Sequence, residues 1–254
     1  VCLQKAIKNM KAKVENPKIE VEHFRHSERI RQMFARIAPA YDFLNHALSM
    51  NIDKRWRKRV TYKLKDILKN PDALVLDVAC GTGDLAIEMR KFGSAKIIGT
   101  DFCRPMLEIA KEKNLKNHVS IPYVEGDGLN LPFSEGSFDA VTIAFGLRNF
   151  SDWEKGLKEA YRVLKFGGRL AILEFSMPII PGFKQIFSFY FNKILPVIGG
   201  MISGSRNAYE YLPDSVSRFP NQQKLAEMMK NVGFSSVEYE NLTGGVVAIH
   251  LGQK

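Results

Sequence analysis

Three cysteines in 254 residues, Cys2, Cys80 and Cys103, stand far apart along the chain. They are too few and too scattered for a disulfide framework or a cysteine zinc site, which points to a reducing compartment. A long uncharged apolar run is also missing. The most apolar stretch, 175–202, is broken by Lys184, Lys193 and the prolines at 178, 181 and 196. A spanning helix needs about 20 nearly uncharged residues, so no membrane span is expected. The opening V-C-L-Q-K-A-I-K-N-M-K-A-K has scattered lysines and no apolar centre, unlike a secretory signal. Its non-Met first residue suggests a processed, alternative or artificial start. No repeat or low-complexity tract occurs. With 45% apolar and 25% charged residues the composition is globular, which excludes disorder and collagen-like structure.

Acidic residues are scarce in one place only. The chain carries 37 Lys+Arg against 27 Asp+Glu, a formal charge of +10. Residues 1–70 hold 17 basic and 7 acidic side chains, and 71–254 hold 20 of each. The whole excess therefore lies in the first 70 residues. This argues against a uniformly basic nucleic-acid binder and for a neutral domain with a basic N-terminal extension.

The extension reads as helical. Glu20–Ile37 mixes charges with apolar positions, and Ile52–Leu68 places Trp56, Val60, Leu64 and Ile67/Leu68 at helical spacing. After Asn70-Pro71 the pattern changes to short apolar runs: Ala73–Ala79, Lys96–Thr100, Val119–Val124, Phe138–Phe145 and Arg169–Phe175. Between them lie Leu85–Phe92, Pro105–Asn114 and Ser151–Leu164, each long enough for a helix, the last with Ser151 as N-cap and Glu154 as capping-box partner. Alternating strands and helices predict an α/β fold, a Rossmann-like doubly wound sheet of seven strands, mostly parallel. Ser236–Leu242 and Val246–Leu251 around Thr243-Gly244-Gly245 predict a C-terminal antiparallel hairpin. An aromatic-rich insertion at about 177–218 interrupts the alternation. The division expected is 1–70 as helical extension or lid and 71–254 as the main domain.

The segment D-V-A-C-G-T-G-D, 77–84, follows an apolar strand and precedes a helix. Gly81 and Gly83 permit a tight turn and close ligand approach, with backbone N–H groups aimed from the helix start. With Ala86 the segment also fits G-x-G-x-x-A, so a dinucleotide site must be weighed. Asp77, four residues before the first glycine, would repel a pyrophosphate and suits a cationic amino-acid moiety. Asp101, at the end of the second strand, can accept ribose hydroxyls in either case. Gly126-Asp127-Gly128 follows the third strand, where an acidic side chain and a backbone N–H can hold an adenine. The ordered set favours S-adenosylmethionine over NAD.

Several motifs then carry a family resemblance. D-V-A-C-G-T-G-D-L, T-D-F-C-R-P-M-L, L-P-F-S-E-G-S-F-D and R-V-L-K-F-G-G-R-L resemble the ordered motifs of class I methyltransferases. A-F-G-L-R-N-F-S-D (144–152), L-E-F-S-M-P (173–178), Y-E-Y-L-P-D-S-V (209–216), N-L-T-G-G-V-V-A-I-H (241–250) and M-F-A-R-I-A-P-A-Y-D-F-L-N (33–45), together with Trp56, resemble the ubiquinone/menaquinone biosynthesis C-methyltransferases over about 27–254. Three positions depart: Cys80 where the family often has Gly, Phe166 where it has Pro, and Ala144 where Ser is frequent. The last removes a side-chain hydrogen bond to the cofactor.

The resemblance implies S-adenosyl-L-methionine as cofactor, contacted by Asp77, Ala79, Gly81, Thr82, Gly83, Asp101, Phe102, Asp127, Gly128 and Ala144. It implies Arg148 and Asn149 at the reacting face and no metal. The implied substrate is a lipid-tailed quinol, most readily demethylmenaquinol, methylated on ring carbon. A quinol carbon ortho to a hydroxyl becomes nucleophilic as that hydroxyl ionises. Arg148, with a pKa above about 12, is a poor base and suits electrostatic stabilisation of the phenolate; its alternative is a surface pair with Asp152. Asn149 would orient a hydroxyl or a water. Tyr41 and His46 are candidate bases from the lid, and Arg206, Tyr209 and Tyr211 candidate caps by position. His250, in a hairpin strand, reads as structural. Phe183, Phe187, Tyr190, Phe191 and Ile194 share a helical stripe, as core or as the wall of a prenyl channel. The basic extension, with Lys54, Arg57 and Lys58, is a solvated face, an RNA contact or a contact with an anionic membrane surface. A bilayer-borne substrate favours the membrane, hence a cytoplasmic protein peripherally associated with the inner face. A homodimer is allowed for; nucleic acid is not expected. An NAD-dependent oxidoreductase and a non-catalytic SAM- or RNA-binding module remain the alternatives.

Overall fold

The apolar runs become strands because residues along a strand point alternately to opposite faces, and here both faces are covered. The computed structural model of the chain describes residues 17–182, 185, 187, 189, 190 and 206–254, without the side chains of 17–21, 23, 24, 44, 47, 48 and 206–210. Seven strands, β1 (Leu74–Val78), β2 (Lys96–Asp101), β3 (Tyr123–Glu125), β4 (Phe138–Ala144), β5 (Leu164–Phe175), β6 (Ser235–Leu242) and β7 (Val247–Gln253), form one sheet in the order β3-β2-β1-β4-β5-β7-β6. β1 to β5 pair in parallel; β7 runs antiparallel between β5 and β6. This is the Rossmann-like sheet with the C-terminal hairpin that the pattern predicts.

The helices are α1 (Pro17–Leu48), α2 (Ile52–Lys63), α3 (Lys65–Leu68), α4 (Asp84–Phe92), α5 (Arg104–Asn117), α6 (Trp153–Val163), α7 (Arg206–Arg218) and α8 (Gln222–Val232). One face of the sheet, with Val75, Ile97, Ala171 and Ile249, packs on Trp56, Val60, Leu64 and Leu68 of the N-terminal segment and on α4. The other, with Leu76, Val141, Leu170 and Ile172, packs on α6 and α8 through Leu157, Val163, Leu225 and Met229. Residue 70 therefore marks a change in sequence pattern, while the core continues across it.

Three local expectations change. α1 runs on past Ile37 and through Pro39. The missing N–H there is outweighed by contacts further along, where Tyr41 is half-buried and Asp42 is bonded to the body of the protein. The Ile52–Leu68 segment breaks at Leu64 (φ −102°, ψ 15°) into two helices. α6 is capped by Asp152 rather than Ser151: Asp152 Oδ1 accepts from Lys155 N at 2.9 Å, and Glu154 pairs with Lys158. A carboxylate is favoured over a hydroxyl at a helix N-terminus by the dipole.

Candidate active site

The sheet order reverses between β1 and β4, so the chains leaving these strands part and open a crevice at their carboxyl ends. The first residue after each strand is a non-glycine held at positive φ, Ala79 (52°) and Phe145 (57°). Such strain persists where the surroundings over-determine it. Here the two turns abut: a Cβ on Gly146 would lie 2.5 Å from that of Ala79.

The turn after β1 is held from β2. Asp101 Oδ2 accepts from Gly81 N (2.9 Å) and Oδ1 from Cys103 N (2.8 Å). Burial pushes the Asp101 carboxyl up to about 6 despite these donors. Three of the loop's N–H groups are already bonded within the protein. Cys80 N donates to Thr100 O, Gly81 N to Asp101, and Gly83 N to Cys80 O. Only the last lies within the turn; the other two tie the loop to β2. Thr82, a candidate cofactor contact, has its hydroxyl engaged by Asp42 Oδ1 (2.5 Å) and Lys113 Nζ (3.3 Å), which ties α1 to the loop.

A cleft of about 690 Å³ lies against this turn, lined by Gly81, Asp101, Phe102, Asp127, Gly128, Ala144 and Asn149 among others. Asp127 Oδ1 accepts from Leu129 N at 2.9 Å. Gly128 faces the Phe150 ring so closely that a Cβ would overlap it. A smaller cavity of about 380 Å³ adjoins through shared Tyr41, Ala79, Gly81, Ala144 and Phe145, and reaches Asp77, Thr82 and Arg57. Asp77 Oδ1 accepts from Thr142 Oγ1 at 2.6 Å; its Oδ2 is buried with no hydrogen-bond partner among the described residues. Burial raises this carboxyl to about 7 against the pull of Thr142 and Arg57. These residues fit the implied cofactor: an orphaned acceptor suits an ammonium group, and at Gly128 the missing Cβ lets the backbone pack against the Phe150 ring in the cleft wall.

The sign of the Asp77 shift gives a stability prediction. A carboxyl whose folded-state pKa is raised stabilises the fold fully below its ordinary value, and that contribution is lost as pH rises through about 7. Asp77→Asn should therefore raise the melting temperature of the cofactor-free protein at pH 8, with the gain shrinking towards pH 5. Thermal melts at the two pH values check this; no gain at pH 8 would contradict it.

A third cavity, about 970 Å³, is mainly apolar, with Met33, Ile37, Trp56, Phe175, Phe187, Tyr190 and Leu212 in its wall. Tyr41 and Phe145 line all three cavities and so stand at their junction. Arg148 enters the apolar cavity from the short 3₁₀ turn Leu147–Asn149. It is 8% exposed, and Nη1 donates to Glu174 Oε1 (2.7 Å) and to Phe145 O. Its Nε has no partner among the described residues. The alternative of a surface pair with Asp152 falls, because Asp152 caps α6. Asn149 Oδ1 accepts from Tyr211 Oη at 3.0 Å. Burial raises the phenols of Tyr41 and Tyr211, Tyr41 against the charge of Arg148, so both are donors at neutral pH.

The remaining candidates scatter. His46 is absent from the lining of the apolar cavity; its Nδ1 lies 2.7 Å from Asp53 Oδ2. His46, Asp53 and Asp84 gather as metal ligands would. Arg57 pairs with both carboxylates and Lys113 with Asp84, so cationic side chains already serve this cluster. Arg206 and Tyr209 are in α7, but their side chains, like Phe183, Phe191 and Ile194, lie outside the described residues. His250 is buried and bonded to Gln222 O at 2.8 Å, and burial lowers it to about 4. Sequence reasoning missed Glu174, although a lone carboxylate inside the apolar run R-L-A-I-L-E-F was a visible signal, and missed the roles of Asp42, Asp53 and Lys113.

A family model described as the ubiE/COQ5 methyltransferase family matches residues 23–254. The demethylmenaquinone methyltransferase of Thermus thermophilus is 49% identical over 224 residues, covering 87% of this chain and 100% of that protein. The ubiquinone/menaquinone biosynthesis C-methyltransferase UbiE of Geotalea uraniireducens is 45% identical over 233 residues, covering 89% and 97%. Among solved structures, a SAM-dependent methyltransferase of Thermotoga maritima superposes with a TM-score of 0.61 at 21% identity, covering 88% of this chain and 98% of that one. The [4+2]-cyclase SpnF superposes at 0.66 with 16% identity, covering 90% and 96%. A cyclase on this architecture shows that the fold alone does not select the chemistry.

Proposed function

The chain belongs to the ubiE/COQ5 methyltransferase family, and on that premise we propose that it methylates the ring carbon of demethylmenaquinol, with Arg148 and Asn149 at the reacting face. It is an S-adenosylmethionine-dependent C-methyltransferase of quinone biosynthesis. The nicotinamide and non-catalytic readings give way to this membership.

When bound, S-adenosylmethionine supplies an electrophilic methyl group on a sulfonium. The chain supplies alignment, a dry site and control of one phenol proton. Trp56, Phe145 and Phe175 form a continuous aromatic wall with centroids 4.8–6.3 Å apart, which suits a flat apolar ring. The observation that carries the reading is a buried guanidinium in this apolar cavity. Its charge lowers the pKa of a ring hydroxyl and stabilises the phenolate that activates the adjacent carbon. Glu174 neutralises part of that charge, so Arg148 favours phenolate without trapping it as a tight ion pair. Asn149, held by Tyr211, orients the hydroxyl or a water that carries the proton away.

Lys54, Arg55 and Lys58 are exposed together on α2, and Ile179 and Ile180 are exposed near the hairpin tip that Trp56 meets through Thr243. These features support a peripheral contact with anionic lipid, at about 1 kcal/mol per basic group near the surface. No described helix is long and apolar enough to cross a membrane. Vesicle co-sedimentation at low salt should show preference for anionic over neutral lipid; equal binding would remove this contact. For the substrate, mass analysis of the quinone pool in cells lacking the gene, with and without complementation, should show a demethylated naphthoquinone accumulating. Accumulation of a benzoquinone precursor instead would reassign the ring.

A further inference from the structure

The smaller cavity is lined by both an acceptor, Asp77, and a cation, Arg57. Asp77 belongs to β1, and period-two alternation turns it to the same sheet face as Val75, the face covered by α2 and α4. Its Oδ2 is buried and unpartnered among the described residues. From the covering side comes Arg57 of α2, 9% exposed. Among the residues lining this cavity and the 690 Å³ cleft beside it, Arg57 is the one cationic side chain. Its fork is held one turn along the helix, with Nη1 on Asp53 Oδ2. Nη2 stands 3.4 Å from Asp84 Oδ2, and Asp84 already has Lys113 as a closer cation. The N–H groups of Cys80, Gly81 and Gly83 are already committed, to Thr100 O, Asp101 Oδ2 and Cys80 O, and do not serve an entering carboxylate.

We propose that Arg57 binds the α-carboxylate of the cofactor's amino-acid tail while Asp77 binds its ammonium group, so that the basic N-terminal segment completes the cofactor site. The assignment rests on the methyltransferase reading and extends it to a residue outside the glycine loop. It also gives part of the clustered positive charge a use unrelated to any surface partner. Nη2, whose contact with Asp84 is the longer of the two, can donate a charge-assisted hydrogen bond to a carboxylate, whereas an ammonium needs only the single orphaned oxygen. α2 is joined to α1 by three residues, 49–51, and α1 lines the apolar cavity. The same N-terminal segment therefore touches both the cofactor tail and the quinol site.

Calorimetry on the full chain tests this with three probes: S-adenosylhomocysteine, its decarboxylated analogue S-adenosyl-3-thiopropylamine, and 5′-methylthioadenosine, which lacks the whole tail. The unmodified protein should prefer S-adenosylhomocysteine to the decarboxylated analogue by about tenfold or more, the scale of a charge-assisted pair. Arg57→Gln should erase that preference without weakening the analogue, and Arg57→Lys should keep part of it. Asp77→Asn should weaken both tailed ligands and leave methylthioadenosine unchanged, which tests the ammonium's partner independently. If Arg57→Gln keeps the preference, or weakens all three probes alike, the assignment to Arg57 is wrong although the methyltransferase reading stands. If the unmodified protein binds none of the probes, the cofactor reading itself fails.

Discussion

Arg148→Ala is expected to lower kcat by about 10²–10³-fold, the usual loss when a preorganised electrostatic group is removed, while the affinity for S-adenosylhomocysteine stays within about twofold. The guanidinium lines the apolar cavity and is absent from the lining of the two cofactor cavities, so its loss should be felt at the ring. The variant carries a complication that can be used. Glu174 is 2% exposed and would be left as a buried charge without its ion-pair partner. That costs about 3–5 kcal/mol and should lower the melting temperature. Adding Glu174→Gln removes the stranded charge. The double variant should recover most of the melting temperature and little of kcat. Recovery of both together would make Arg148 a structural residue and sink its assigned role.

Asp101→Ala should have the opposite signature. Its carboxylate lines the cleft and anchors the turn after β1 through Gly81 N. Losing a charged acceptor, worth about 1.5–3 kcal/mol for each hydrogen bond it makes, should weaken S-adenosylhomocysteine by about 10²-fold or more. At saturating cofactor, kcat should fall far less than in Arg148→Ala. The two variants thus separate a cofactor anchor from a ring-activating group. Equal loss of cofactor affinity in both would contradict that division. Affinity should also fall as pH drops below about 6, because burial holds the Asp101 carboxyl at that value and its protonated form is a weaker acceptor.

The glycine loop, the strand-end aspartates and the alternation of runs were legible because they are local. Positive φ at Gly81 and Gly83 and apolar runs of strand length follow from near neighbours in sequence. The pairing of Arg148 with Glu174 was not legible, since 26 residues separate them and only the β4–β5 pairing brings them together. Nor was the coupling of Thr82 to Asp42 across 40 residues, or the gathering of Asp53, Arg57, Asp84 and Lys113 from three helices, α2, α4 and α5. Ser151 and Asp152 were adjacent candidates for one cap, and the sequence pattern could not rank them before the helix start was fixed.

By itself the sequence determined the class of fold, the cofactor loop and the placing of all the excess charge in the first 70 residues. Those are matters of periodicity, glycine geometry and counting. Only the tertiary structure decided where that charge goes. Lys54, Arg55 and Lys58 face solvent, while Arg57, from the same helix turn, is buried against the end of β1. The reason is the 3.6-residue turn: one helix can present a solvated basic face outward and a single guanidinium inward. Which residue points inward is fixed only when Trp56 and Val60 dock on the sheet.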